Sequence, residues 1–161
     1  RTVPLRNTGA ALSAQSAFQL LQGIETLPLR MERHCENAMA VAQYLQGHDK
    51  VEWVRYAGLE DHPHHALALK YMKGNASGIM TFGVKGGFEA GVKFYDALQL
   101  FKRLVNIGDA KSLACHPAST THRQLSEEEQ SAVGVVPEAI RLSVGIEHIS
   151  DIIADLEQAL A

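Results

Sequence analysis

Ile140-Arg141-Leu142-Ser143-Val144-Gly145, in the last quarter of the chain, alternates apolar and polar side chains and predicts a β-strand. Successive side chains of a strand point to opposite faces, so Ile140, Leu142 and Val144 face a core while Arg141 and Ser143 look the other way. The alternation puts one guanidinium on a rigid element. Its planar N–H fork matches the two oxygens of a carboxylate or phosphate. Taken alone, these six residues favour a plainer reading, an arginine on the solvated face of an edge strand.

Working outward, the N-terminal third reads as helical. Ala14, Ala17, Phe18, Leu21 and Ile24 share one helical face with Ser13 as cap, and Pro28 interrupts the pattern. Met31, Cys35, Ala38, Ala42 and Leu45 form the seam of a second helix that Gly47 stops, a stripe fit to pack on its own domain or against another. Elements then alternate. Val51 to Tyr56 predicts a strand, Pro63 to Met72 a short helix, Gly78 to Val84 a strand ending in the Gly86-Gly87 turn, and Phe88 to Leu98 a helix. Leu104 to Ile107 and Ser112 to Cys115 predict two short strands flanking a Gly-Asp turn. Ser126 with Glu129 makes a capping box, Pro137 closes that helix, and Ile149, Ile152, Ile153, Leu156 and Leu160 line a last helix after the arginine strand. This order builds a two-layer sheet covered by helices, a single domain over residues 1–161 with a helical lead-in over 1–47 and alternating elements over 51–161.

Composition bounds the function. With 161 residues and 46% hydrophobic content the chain can bury one core. A net charge of −3 with scattered cations argues against nucleic acid or an anionic membrane as partner. No apolar run approaches bilayer length, and no charged-then-apolar leader opens the chain. The first residue is Arg1 rather than methionine, which suggests a fragment or processed chain. Cys35 and Cys115 lie on segments that read as buried, as reduced structural thiols do, and this fits a cytoplasmic setting.

Candidates for chemistry are few. His62-Pro63-His64-His65 lacks the i, i+4 spacing and the acidic or thiol partners of a metal site, so it reads as a surface loop and no metal is expected. Cys115 and His116 are strand neighbours facing apart, which disfavours a shared proton. Gly83 to Gly87 lacks phosphate-cradling spacing and reads as a turn. No nucleophile elbow or carboxylate pair supports a self-contained hydrolase, and no catalytic residue is assigned.

The polar segment from Asn106 to His122 (NIGDAKSLACHPASTTH) is denser in hydroxyl and amide groups than a plain loop requires. Together with Ala139 to Glu147 (AIRLSVGIE), it closely resembles the C-terminal domain of the Cys/Met metabolism family of pyridoxal-phosphate enzymes. Leu5 to Ser13 (LRNTGAALS), Glu25 to Asn37 (ETLPLRMERHCEN), Thr81 to Gly87 (TFGVKGG) and Asp151 to Gln158 (DIIADLEQ) extend the resemblance in the family's order.

The resemblance implies an α+β fold, the two-layer small C-terminal domain of fold-type I (aspartate aminotransferase-like) enzymes. It implies that Arg141 binds the substrate α-carboxylate, that Asn106, a serine in many relatives, lies beside the same carboxylate, and that Thr121 supports the pocket. The Asn106 segment looks like the sulfhydrylase branch. The full-length enzyme would then convert O-acetyl-L-homoserine and sulfide or a thiol into homocysteine or methionine, with pyridoxal phosphate as electron sink. Nothing here matches the family's cofactor-lysine segment, so the cofactor is expected on a larger N-terminal domain absent from this chain. The chain alone would be inactive, with that domain as its partner and a homotetramer as the full-length assembly. Two alternatives stay open: a domain of a related cystathionine gamma-synthase or methionine gamma-lyase, and a stand-alone ligand-binding module.

Overall fold

Ser13 caps the helix that its position predicts, its Oγ accepting from the Ser16 N–H at 3.1 Å. The structure, a computed structural model, describes residues 2–9 and 11–161, which fall into two compact units, one ending at Arg30 and the other Met31–Ala161. Arg1, with the expectation attached to it, and Ala10 lie outside the described residues.

The first unit holds α1 (Thr2–Thr8), α2 (Ala14–Glu25) and the start of α3 (Leu27–Gln46). The break expected at Pro28 falls instead at Thr26. Pro28 sits in the first turn of α3, where its missing N–H has no intrahelical partner to lose. Arg30 ties this corner by donating to the Gly23 carbonyl at 2.7 Å. Phe18, Leu21 and Ile24, the apolar stripe of α2, are each more than half exposed.

The second unit continues α3 and adds β1 (Val51–Arg55), α4 (His65–Met72), β2 (Ile79–Val84), α5 (Gly87–Ala97), β3 (Lys102–Arg103), β4 (Leu113–Cys115), a 3-10 turn at Pro117–Ser119, α6 (Glu127–Ala132), β5 (Ala139–Ser143) and α7 (Ile149–Leu160). Gly86 and Gly87 turn the chain from β2 into α5 with φ of 110° and 71°, a region glycine enters without a Cβ penalty. The capping box of α6 forms as read, each of Ser126 and Glu129 satisfying the other's backbone N–H.

The five strands form one mixed sheet in the order β1-β2-β5-β4-β3. β5 is therefore central, not the edge strand of the plainer reading. It runs antiparallel to β2 through Met80↔Leu142 and Phe82↔Ile140, and antiparallel to β4 through Ala114↔Leu142. Ile140, Leu142 and Val144 are fully buried with Met80, Phe82 and Val84 against residues of α3, α5 and α7, giving the two-layer α+β arrangement. Phe82 meets Phe94 of α5 edge to face at 5.4 Å. Ala38, Ala42 and Leu45 of the α3 seam lie in this same core, so the seam packs on its own domain.

One pairing differs from expectation. Leu104 to Ile107 is not a strand; β3 lies just before it and pairs parallel with β4 through Lys102↔Leu113 and Arg103↔Ala114. Leu104, Val105 and Ile107 are exposed, their apolar composition alone having suggested a strand.

Candidate functional site

The sheet face opposite the core carries a row of side chains set by register: Arg55 of β1 opposite Thr81 of β2, Thr81 opposite Arg141 of β5, and Arg141 opposite Cys115 of β4. Arg141 is half-buried in the middle of this row. Its Nη2 donates to the backbone carbonyl of Asn106 at 3.4 Å. Among the described residues it forms no salt bridge. Most of the guanidinium's five N–H donors thus have no partner among the described residues.

Asn106 meets Arg141 through its main chain. Its side-chain Oδ1 turns back to accept from the Ile107 N–H at 2.9 Å. Thr121 is exposed, with Oγ1 bonded to His122 Nδ1 at 2.8 Å, and it shares no hydrogen bond with Arg141 or Asn106. The structure brings Arg141 and Asn106 together and leaves Thr121 in a neighbouring turn. Its predecessor Thr120 looks inward instead, donating to the His116 carbonyl at 2.7 Å and lying 3.3 Å from Cys115 Sγ.

Cys115 ends β4 and His116 follows it as the cap of the 3-10 turn, and no hydrogen bond joins their side chains among the described residues. His116 is buried, with Nδ1 at 2.7 Å from Ser119 Oγ and Nε2 donating to the Pro137 carbonyl at 2.7 Å. A carbonyl only accepts, so Nε2 carries a proton and the ring serves as a fixed strut. Cys35 and Cys115 are both free and buried, and burial pushes the Cys35 thiol up from its ordinary value. His62 to His65 lead into α4, where His65 Nδ1 donates to the Ala57 carbonyl at 3.0 Å.

Several residues that the sequence did not single out hold the Asn106 segment in place. Glu147 accepts from the Ser112 N–H at 2.7 Å and from Ser112 Oγ at 2.9 Å, while Ser112 Oγ accepts from the Gly145 N–H at 2.9 Å. Asn37 of α3 donates to the carbonyls of Gly145 and Glu147 at 3.0 and 2.9 Å. The Ile146 N–H donates to Ala110 at 2.9 Å. Together these bonds pin the far end of the connection that carries Asn106 to the end of the arginine strand. The network joins residues more than thirty positions apart, so no local motif announces it.

Ser143, two residues beyond Arg141 on the same face, is 3% exposed, and its Oγ has no hydrogen-bond partner among the described residues. Alternation gave its direction and not its burial. His34 Nε2 is likewise buried without a partner, while Nδ1 of the same ring donates to the Val144 carbonyl at 2.6 Å.

This arrangement has relatives along nearly its whole length. Residues 2–161 match the model of the Cys/Met metabolism PLP-dependent enzyme family. The chain belongs to that family. Among Cys/Met metabolism proteins it is 56% identical over 161 residues to O-acetyl-L-homoserine sulfhydrylase of Leptospira meyeri, covering 99% of this chain and 36% of that protein. It is 53% identical over 160 residues to homocysteine synthase of Schizosaccharomyces pombe, covering 99% and 37%. A crystal structure from Campylobacter jejuni, described as an O-acetylhomoserine (thiol)-lyase with N'-pyridoxyl-lysine-5'-monophosphate, superposes with a TM-score of 0.88 at 46% identity, covering 98% of this chain and 38% of that one. The chain spans little more than a third of the length of these Cys/Met metabolism relatives.

The described residues do not fit a pocket that holds pyridoxal phosphate through a Schiff base. Such a lysine is activated by removal from water, and Lys50, Lys70, Lys73, Lys85, Lys93, Lys102 and Lys111 are all exposed.

Proposed function

We propose that this chain is the C-terminal substrate-recognition domain of a pyridoxal-phosphate-dependent transferase that makes homocysteine or methionine from O-acetyl-L-homoserine and sulfide or a thiol. Arg141 is its α-carboxylate clamp. The observation that carries the assignment is a guanidinium on the central strand, half-buried and without a carboxylate partner among the described residues, beside the Asn106 carbonyl. A central strand backed by a packed core fixes the fork far better than a loop would, and misplacing a bound substrate by roughly 1 Å can cost about a hundredfold in rate. Asn106 contributes a backbone carbonyl that holds the fork, and it stands one step from the ligand. Thr121 supports the turn that follows β4. The names of the relatives support the substrate and the sulfur donor. On this reading the cofactor lysine sits on a larger N-terminal domain, the working assembly is a homotetramer, and the setting is cytoplasmic. No helix among the described residues is long and apolar enough to cross a membrane.

The test is Arg141→Lys in the full-length enzyme. Lysine keeps the charge and loses the planar fork, so kcat/KM for O-acetyl-L-homoserine should fall about tenfold or more. The absorbance of bound cofactor should stay unchanged. Wild-type kcat/KM in the variant removes Arg141 from the carboxylate role.

A further inference from the structure

On the opposite side of the sheet from Arg141, where β2 leads towards α5 and α7 ends, a cavity of about 310 Å³ is lined by Lys50, Val84, Lys85, Ala90, Lys93, Phe94, Ala159 and Leu160. That volume is at the lower end of the roughly 300–1,000 Å³ of small-molecule sites. Its apolar lining is deep: Val84, Phe94, Ala159 and Leu160 are each at least nine-tenths buried. Its polar lining is all of one sign. Three lysines line the cavity, no Asp or Glu side chain does, and among the described residues none of the three forms a salt bridge with an acidic side chain. Lys50 donates to an oxygen of the terminal residue Ala161 and Lys85 to the backbone carbonyl of Asp49, and Lys93 forms no hydrogen bond among the described residues.

We propose that this cavity binds an amphipathic organic anion, a carboxylate or phosphate head on an apolar body of modest length. Lysine stems lie along apolar surface while their ammonium groups stay at the rim, so a ligand's body would rest on Phe94, Val84 and Leu160 with its head among Lys50, Lys85 and Lys93. An anionic head at the rim would meet lysines and no acidic side chain of the lining. Neither half of the site suffices alone, because the floor lacks polar anchors and exposed lysines hold a bare anion weakly. The site is independent of the Arg141 face and of the reaction assigned to it.

Calorimetric titration of the full chain at low salt with octanoate, octyl phosphate, octan-1-ol and octylammonium tests the assignment. Both anions should bind more tightly than the alcohol, the phosphate ahead of the carboxylate, and octylammonium should not bind. The combined variant Lys50→Gln, Lys85→Gln, Lys93→Gln removes only exposed side chains, and it should weaken anion binding about tenfold or more while leaving octan-1-ol unchanged. Ala90→Leu, which fills the cavity from α5, should abolish binding of anions and alcohol alike. The proposal is overturned if the anions bind no tighter than octan-1-ol, or if either variant keeps wild-type affinity for octanoate and octyl phosphate.

Discussion

Gly145 has no room for a side chain. A Cβ there would lie 2.5 Å from both the Ala110 carbonyl oxygen and the Ser112 nitrogen, and closer still to Glu147. Two of those neighbours are backbone, so they cannot swing aside. Gly145→Ala should destabilise the protein by about 1–3 kcal/mol in urea unfolding, the range for overpacked sites, and loosen the Asn106 connection. Arg141 illustrates what was legible at this scale: alternation gave its direction, while its place on a central strand depended on partners about sixty and twenty-six residues away, Thr81 and Cys115. Thr121 shows the opposite. Its place in the motif says nothing of its orientation, and in a turn adjacent threonines face different ways. Tyr56 offers a pH test. It is 2% exposed, its Oη donates to the Ser77 carbonyl at 2.8 Å, and burial first, then the Cys35 thiol, raises its phenol well above the ordinary value. A raised folded pKa means that the native state holds the proton longer, so its contribution is complete below about pH 10 and is lost as pH rises through the folded value. Tyr56→Phe should lose about 1 kcal/mol near neutrality and show a shallower alkaline fall in stability than wild type, measured by urea unfolding at stepped pH.

Whole elements were more legible than their partners. Helical spacing gave α2, α3, α5 and α7, and the Ser-x-x-Glu spacing gave α6, because caps and periodicity are local. The α1 turn had no such periodicity to announce it, and the apolar run at Leu104 to Ile107 mimicked a strand without alternation. Asp155 shows a device hidden from the sequence. Its buried carboxylate on α7 accepts from the N–H groups of Gln99, Leu100 and Phe101 at 2.8 to 3.0 Å, closing the chain between α5 and β3. Asp155→Ala leaves those donors without their acceptor and should cost about 3 kcal/mol or more in thermal or urea unfolding, with hydrogen exchange accelerated first at residues 99–101.

At the scale of the molecule, the absence of a buried lysine among the described residues sets a direct expectation. Incubating the chain with pyridoxal phosphate and reducing with borohydride should give scattered, substoichiometric labelling across its exposed lysines. One stoichiometric site, found by peptide mass analysis, would show that the chain carries its own cofactor lysine. The two-layer sheet and its helices could be anticipated from alternating elements, whereas strand order could not, since it is decided by contacts distant in sequence. Strand order also has a consequence of its own. A parallel pair such as β3 and β4 cannot be closed by a tight hairpin, so the chain must double back before it can pair. Residues 104–112 are that return journey, and Asn106 rides on it. Topology demands that the stretch exist but asks little of its exposed residues 104–108, whose side chains can be exchanged without unpicking the sheet, while buried Ser112 anchors its far end. The protein thus keeps its arginine on a fixed anvil and places beside it a segment free to diversify.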